Sequence, residues 1–147
     1  KPAPPPFQRT VCACKTCIDC CRQQPGPLIA GDLERIADHL GLSHDEAMKY
    51  FWASPGARVL MKDGSIRSIG TITPRMERGQ CVFLDENDRC KVHPVAPAGC
   101  SFFDCSMSAS EGQRRGIWLL MTQDTEEYQA LRAKLPKATS WKPRMAL

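Results

Sequence analysis

Five cysteines fall within ten residues, Cys12, Cys14, Cys17, Cys20 and Cys21, and four more, Cys81, Cys90, Cys100 and Cys105, follow a stretch from Arg22 to Gln80 that holds none. Thiolates this close repel one another unless a cation or an iron–sulfur core neutralises them, so the pattern reads as soft-metal ligation. The two groups are expected to meet in space. A disulfide framework fits less well. Nine is odd, adjacent Cys20 and Cys21 cannot bridge without backbone strain, and disulfide scaffolds usually spread their cysteines along a short secreted chain.

The order C-x2-C-x2-C-C at Cys14, Cys17, Cys20 and Cys21, then Cys81-Val82-Phe83-Leu84, Arg89-Cys90-Lys91-Val92-His93 and Cys100-Ser101-Phe102-Phe103-Asp104-Cys105, resembles the YkgJ-type cysteine-cluster family. That family is described as a zinc- or iron-chelating domain of small, mostly bacterial proteins. The resemblance runs from about Cys14 to Cys105 and implies that these eight cysteines are the metal or cluster ligands. Cys12 lies outside the pattern and is expected to be a thiol without a ligand role. The family usually carries Arg-Pro a few residues before its third distal cysteine, whereas this chain has Ala96-Pro97. No hydrogen bond from such an arginine to a cluster is therefore implied here.

Spacing favours iron–sulfur over zinc. Cys14, Cys17 and Cys20, at successive x2 intervals, suit one corner of a cubane, as in the bacterial ferredoxin run, while structural zinc sites draw two C-x2-C knuckles from separate turns. The run lacks the proline and the second matching run of a ferredoxin. Neighbouring Cys20 and Cys21 project in different directions, so each more readily serves a different centre. Eight cysteines divide into two sets of four. One [4Fe–4S] centre with a second thiolate site, or two iron–sulfur centres, fits this count; zinc, and more remotely copper(I)-thiolate, are the alternatives.

Other candidates read as structural. His93, before Pro94, is within ligand or sulfur hydrogen-bonding distance in sequence of Cys90, but a turn histidine facing solvent is the default. His39 and His44 flank Gly41 and are expected at the surface. Glu126 and Glu127 read as a solvated helix face, and Phe102 and Phe103 as an apolar wall beside the metal. No phosphate loop, nucleophile elbow or HExxH motif is present. The formal charge of +4 gives little support to nucleic-acid binding, because four thiolates around a divalent ion leave two negative charges per site and the basic residues are not interleaved with aromatics.

The elements that must position the cysteines follow from the pattern around them. The class expected is a small, irregular, metal-stabilised α+β domain with short helices and one or two β-hairpins, spanning 12–135 between a proline-rich arm at 1–11 and a basic tail at 136–147. Leu33, Ile36, Ala37 and Leu40 predict a helix from Asp32 to Leu40, ended by Gly41, and Ser43 with Glu46 a capping box for a second helix with Ala47, Tyr50 and Phe51 on its apolar face. Val59 to Met61, Asp63-Gly64, Ile66 and Ile69 predict one hairpin. Cys81 to Leu84 and Cys90 to His93 predict another, with Cys81 and Cys90 side by side. Pro94 and Pro97 are expected to break regular structure before Cys100. Ile117 to Met121 reads as a short strand or buried helical turn, and Asp124 or Thr125 starts a helix to about Leu135.

The expected function is a small iron–sulfur accessory protein that passes electrons to, or structurally supports, a larger oxidoreductase complex. The rival is a zinc-stabilised protein-interaction module without redox activity, and an independent enzyme would need iron with only three cysteine ligands. The arm and the tail, with Trp141 among Lys137, Lys142 and Arg144, are expected to dock on a larger protein partner. No membrane-length apolar run is present, and a cytoplasmic location is expected. The chain begins at Lys1, compatible with a segment upstream of it.

Overall fold

Helix α1, Asp32–Leu40, forms where the apolar spacing predicts it, burying Leu33, Ile36 and Ala37, and ends at Gly41, whose left-handed φ of 69° lets its N–H turn back to the carbonyls of Ala37 and Asp38. The structure, a computed structural model, describes residues 6–9, 25–56, 58–103, 107–139 and 145–146. Helix α2, His44–Met48, opens with the expected capping box: Ser43 Oγ accepts from Glu46 N at 3.1 Å and Glu46 Oε1 from Ser43 N at 2.9 Å. It stops before Tyr50. Phe51 instead begins strand β1, Phe51–Ser54, because all four of its residues are buried in an antiparallel ladder with β4, Thr71–Pro74. Tertiary pairing overrides the helical reading of Phe51. The buried hydroxyls of this ladder pair internally, Ser54 Oγ with Thr71 Oγ1 at 2.8 Å, while Thr73 Oγ1 accepts from Trp52 Nε1 at 3.0 Å.

The first predicted hairpin is present as β2, Arg58–Leu60, and β3, Ile66–Arg67, with Asp63-Gly64 in its turn. Asp63 Oδ1 accepts from Ser65 N at 2.9 Å, which fixes the turn. Strand β7, Met145–Ala146, adds to β2 in parallel. The second hairpin is differently drawn. Strands β5, Met76–Glu77, and β6, Gln80–Cys81, pair across a turn at Arg78 and Gly79, both at positive φ, so Cys81 faces Met76. Beyond it the chain turns at Val82 and Phe83, and a single antiparallel bridge puts Cys90 opposite Leu84, not Cys81. Asp85 Oδ1, accepting from Asn87 N at 2.8 Å and Arg89 N at 3.0 Å, closes the loop between them.

Regular structure also continues where proline was expected to stop it. Pro94 lies within a 3-10 turn, His93–Val95, and Pro97 precedes α3, Ala98–Ser101, the one-turn helix that carries Cys100. Ile117 to Met121 is the middle of a fifteen-residue helix, α4, Ala109–Gln123, capped by Ser108 and burying the stripe Gly116, Leu119, Leu120 and Gln123. Thr125 caps α5, Glu126–Ala133. Two apolar clusters result. The larger joins α1, β1 and β4 through Leu33, Ile36, Phe51, Ile72 and Phe83; the smaller holds Ile29, Ala98, Phe102 and Leu119, with Phe7, Phe103 and Trp118 against it. Among the described residues, five short helices and small strand pairs make an α+β domain. Among the described residues no helix is long and apolar enough to cross a membrane.

Candidate metal centre

Three of the eight expected ligands lie on described segments. Cys81, at the end of β6, is buried in the larger cluster; Cys90 packs against that cluster from its bridge to Leu84; Cys100 sits in α3, half-buried. Cys14, Cys17, Cys20, Cys21 and Cys105, with Cys12, lie outside the described residues. Among the described residues no three of His, Cys, Asp and Glu are arranged to hold a metal ion. His93 is exposed, and so are His39, His44, Glu126 and Glu127, as expected. The donor chemistry fits a soft metal: Cys100 Sγ accepts the Gly26 N–H at 3.2 Å, the kind of hydrogen bond that tunes a ligating thiolate.

That bond belongs to a zipper which sequence reasoning missed. Residues 26–29, leaving the N-terminal cysteine run, lie antiparallel to 98–100. Gly26 N donates to Cys100 Sγ at 3.2 Å, Gly99 N to the Pro27 carbonyl at 2.9 Å, and Ala98 N to Asp32 Oδ2 at 2.9 Å. The approach is close enough to need glycine on both sides. A Cβ on Gly26 would overlap the backbone of Gly99 and Cys100, and one on Gly99 would overlap Pro27. Pro25-Gly26-Pro27 was legible as a turn, but its partner was not, since nothing in the sequence links it to Gly99.

The same strap is tied to the larger cluster by Tyr128. Its hydroxyl donates to the Leu28 carbonyl at 2.7 Å and accepts from Ile72 N at 2.9 Å, while Leu28 N donates to the Ile72 carbonyl at 2.8 Å. Gln123 Nε2 adds a second bond to the Leu28 carbonyl at 3.0 Å. Burial pushes the Tyr128 hydroxyl well above its ordinary pKa of 10.0. Asp32 is also buried, at 4% exposure, and desolvation pushes its carboxyl up, against the hydrogen bonds from Ile29, Arg35 and Ala98.

The other end of the cysteine run is pinned to the same region. Phe7 stands edge-on to Trp118 at 5.5 Å, with the guanidinium carbons of Arg114 and Arg115 at 4.8 and 4.9 Å from its ring centre. Arg9 donates to the His93 carbonyl at 2.8 Å, and Arg115 links the Gln8 and Phe102 carbonyls at 3.1 Å each. The described part of the arm therefore lies on this chain's own α4. At the other terminus, Pro136 to Ala138 run beside β1, where Ala53 N meets the Pro136 carbonyl at 2.7 Å. Trp141 lies outside the described residues. Phe102, in the smaller cluster, stands edge-on to Trp118 at 5.5 Å.

Clefts open on the surface of the described residues. One of 460 Å³ lies beside Cys81, between Glu77, Arg78, Gln80 and Lys91. Another, of 840 Å³, lies between α1 and α5 over Leu28, Ile72 and Tyr128, and among the described residues no cysteine lines it.

No curated protein and no solved structure matches the chain significantly. A family profile does: "CxxCxxCC: Putative zinc- or iron-chelating domain" matches residues 13–133, from just before Cys14 to the last residue of α5. With all eight expected cysteine ligands and nearly all the described fold inside that match, the chain belongs to the CxxCxxCC family.

Proposed function

We propose that Cys14, Cys17, Cys20 and Cys21 close with Cys81, Cys90, Cys100 and Cys105 around an iron–sulfur centre, and that the protein serves a larger oxidoreductase complex as an electron-transfer or structural subunit. One observation carries the reading. Both ends of the N-terminal run are fastened to the segment between Cys90 and Cys100, through Arg9 to the His93 carbonyl at 2.8 Å and through Gly26 to Cys100 Sγ at 3.2 Å. Chain connectivity then keeps Cys21 within roughly 18 Å of Gly26 even if fully extended, and less with any turn.

The chain's own residues supply the binding and the setting. The cysteines provide soft donors, Gly26 N–H a hydrogen bond to one sulfur, and Phe102 and Trp118 an apolar flank that lowers the local dielectric. Bound there, an iron–sulfur centre saturated by cysteine supplies one-electron transfer with no open position for a substrate. A protein partner, in this proposal, is met by the stretch around Trp141, because Phe7 and Gln8 are already engaged with α4 and Arg9 with the His93 carbonyl.

Protein purified without oxygen is expected to be brown, with iron and acid-labile sulfide in comparable amounts and an EPR signal on reduction. Colourless protein holding zinc would replace this reading with that of a zinc-stabilised interaction module. In that case the thiolates supply folding energy alone.

A further inference from the structure

Asp32 is the residue through which the zipper is completed. With 27 and 99 as the bonded pair of this antiparallel run, through Gly99 N and the Pro27 carbonyl, the neighbouring Ala98 N–H meets no carbonyl of the strap, and the Leu28 carbonyl is taken by Tyr128 and Gln123. Ala98 opens α3, and Pro97 before it offers no side-chain cap. The carboxylate of Asp32 supplies the acceptor. Its Oδ2 accepts from both Ala98 N and Ile29 N at 2.9 Å, while Oδ1 accepts from Arg35 at 2.6 Å. One buried oxygen therefore clasps the strap leaving the cysteine run to the helix turn that presents Cys100, two residues from the clasp.

We propose that Asp32 is a positioning residue for the metal centre, setting the Cys100 sulfur against the N-terminal cysteine run by holding Ile29 and Ala98 on one carboxylate oxygen. This rests on the proposed metal centre and adds a residue to it that bears no sulfur and touches no metal. Position, not charge, is what the clasp supplies. Asn keeps an acceptor oxygen where Oδ2 stands, whereas Glu keeps the charge and displaces it.

The test is metal release from the loaded full-length protein to a colorimetric chelator, bipyridyl for iron or a pyridylazo dye for zinc, with alkylation of Cys100 read by mass spectrometry. Loss of a group that orients a ligand typically weakens a site by about 10-fold to 100-fold, so Asp32→Ala is expected to release metal at least about tenfold faster and to expose Cys100 to alkylation. Asp32→Asn is expected to stay within about threefold of the native rate, and Asp38→Asn, on the exposed side of α1, to match it. Where Asp32→Ala does not fold, the other pair decides, Asp32→Glu being expected to release faster than Asp32→Asn. Native-rate release and native Cys100 protection in Asp32→Ala, or Asp32→Glu outperforming Asp32→Asn, overturn the assignment. Native protein that holds no metal, or whose Cys100 is alkylated equally with and without it, overturns the metal reading and the Asp32 assignment with it.

Discussion

The two apolar clusters meet at a single peptide: Leu28 enters the larger and its neighbour Ile29 the smaller. They are built on different terms. The larger has thirteen buried members among the described residues, eight from α1, α2, β1, β4 and α5 with Leu28, Cys81, Phe83, Val92 and Leu135 beside them, and its backbone edges are closed by side chains, Tyr128 on Leu28 and Ile72 and Arg132 on Ser54 and Thr71. The smaller has four, around a one-turn helix and an arm. A cluster of four side chains does not hold two chain segments by burial alone, and here hydrogen bonds to Asp32 and from Gly99 and Gly26 do much of that work. The comparison suggests one region that folds from its own sequence and a second that depends on what the cysteines bind.

The largest effect expected is therefore from metal removal, and it should be uneven. Chelation of the loaded protein, or Cys100→Ser, should leave the amides of β1 and β4 protected in hydrogen exchange while those of Gly26, Ile29 and Ala98 to Phe102 exchange far faster. Equal loss in both regions would mean that the larger cluster also depends on the metal, through buried Cys81.

Next comes Phe51→Ala. Phe51 is fully buried in the larger cluster, beside Phe83 at 5.7 Å between ring centres. Truncation should cost ~3–5 kcal/mol by removing buried area and leaving a cavity. Chemical denaturation of the metal-loaded protein reads it. A cost near 1 kcal/mol would show that the larger cluster is not the stable partner in the comparison.

How far these regions could be read in advance follows the same division. Helix α1 and the capping box of α2 were legible because their signals are local, apolar residues at helical spacing and Ser43 three residues before Glu46. Helix α4 was missed although Ser108 stands three residues before Glu111, because Ile117 to Met121 is apolar on every side and masks the helical stripe. Phe51 was drawn into α2 because only its long-range ladder with Pro74 makes it a strand. The cysteines were visible as donors from their type and spacing. What aligns Cys100 was not, since Asp32 lies 66 residues from Ala98, and Gly26 lies 74 from Cys100.

Tyr128→Phe probes the seam. Without the hydroxyl, Ile72 N–H loses its acceptor and the Leu28 carbonyl keeps only Gln123, a loss of ~1–3 kcal/mol. It also changes alkaline stability with a definite sign. The folded state holds the Tyr128 proton above pH 10.0, where the unfolded chain gives it up, so stability is intact below 10.0 and falls by up to ~1.4 kcal/mol per pH unit above it. The Phe variant should lack that share of the slope. Denaturation midpoints on either side of pH 10, with tyrosinate absorbance followed in parallel, measure it; an unchanged slope would mean that Tyr128 ionises in the folded protein.

The smallest effect expected is that of Phe7→Ala, and its size sharpens the comparison because Phe7 belongs wholly to the smaller cluster. The ring is half-buried and holds the arm through Trp118 and the two guanidinium groups of Arg114 and Arg115. Such edge-on and cation–π contacts are each worth on the order of 1 kcal/mol or less at a partly exposed site. Arg9 and Gln8 keep their own bonds to the His93 carbonyl and to Arg115 after truncation, so the arm is loosened and not released. The midpoint of thermal unfolding should fall by only about 2–4 °C, while protease cleavage within the first ten residues quickens. A fall as large as that of Tyr128→Phe would mean that the entry to the cysteine run is held as firmly as its exit, and that the smaller cluster is more than an apolar flank to the cysteines.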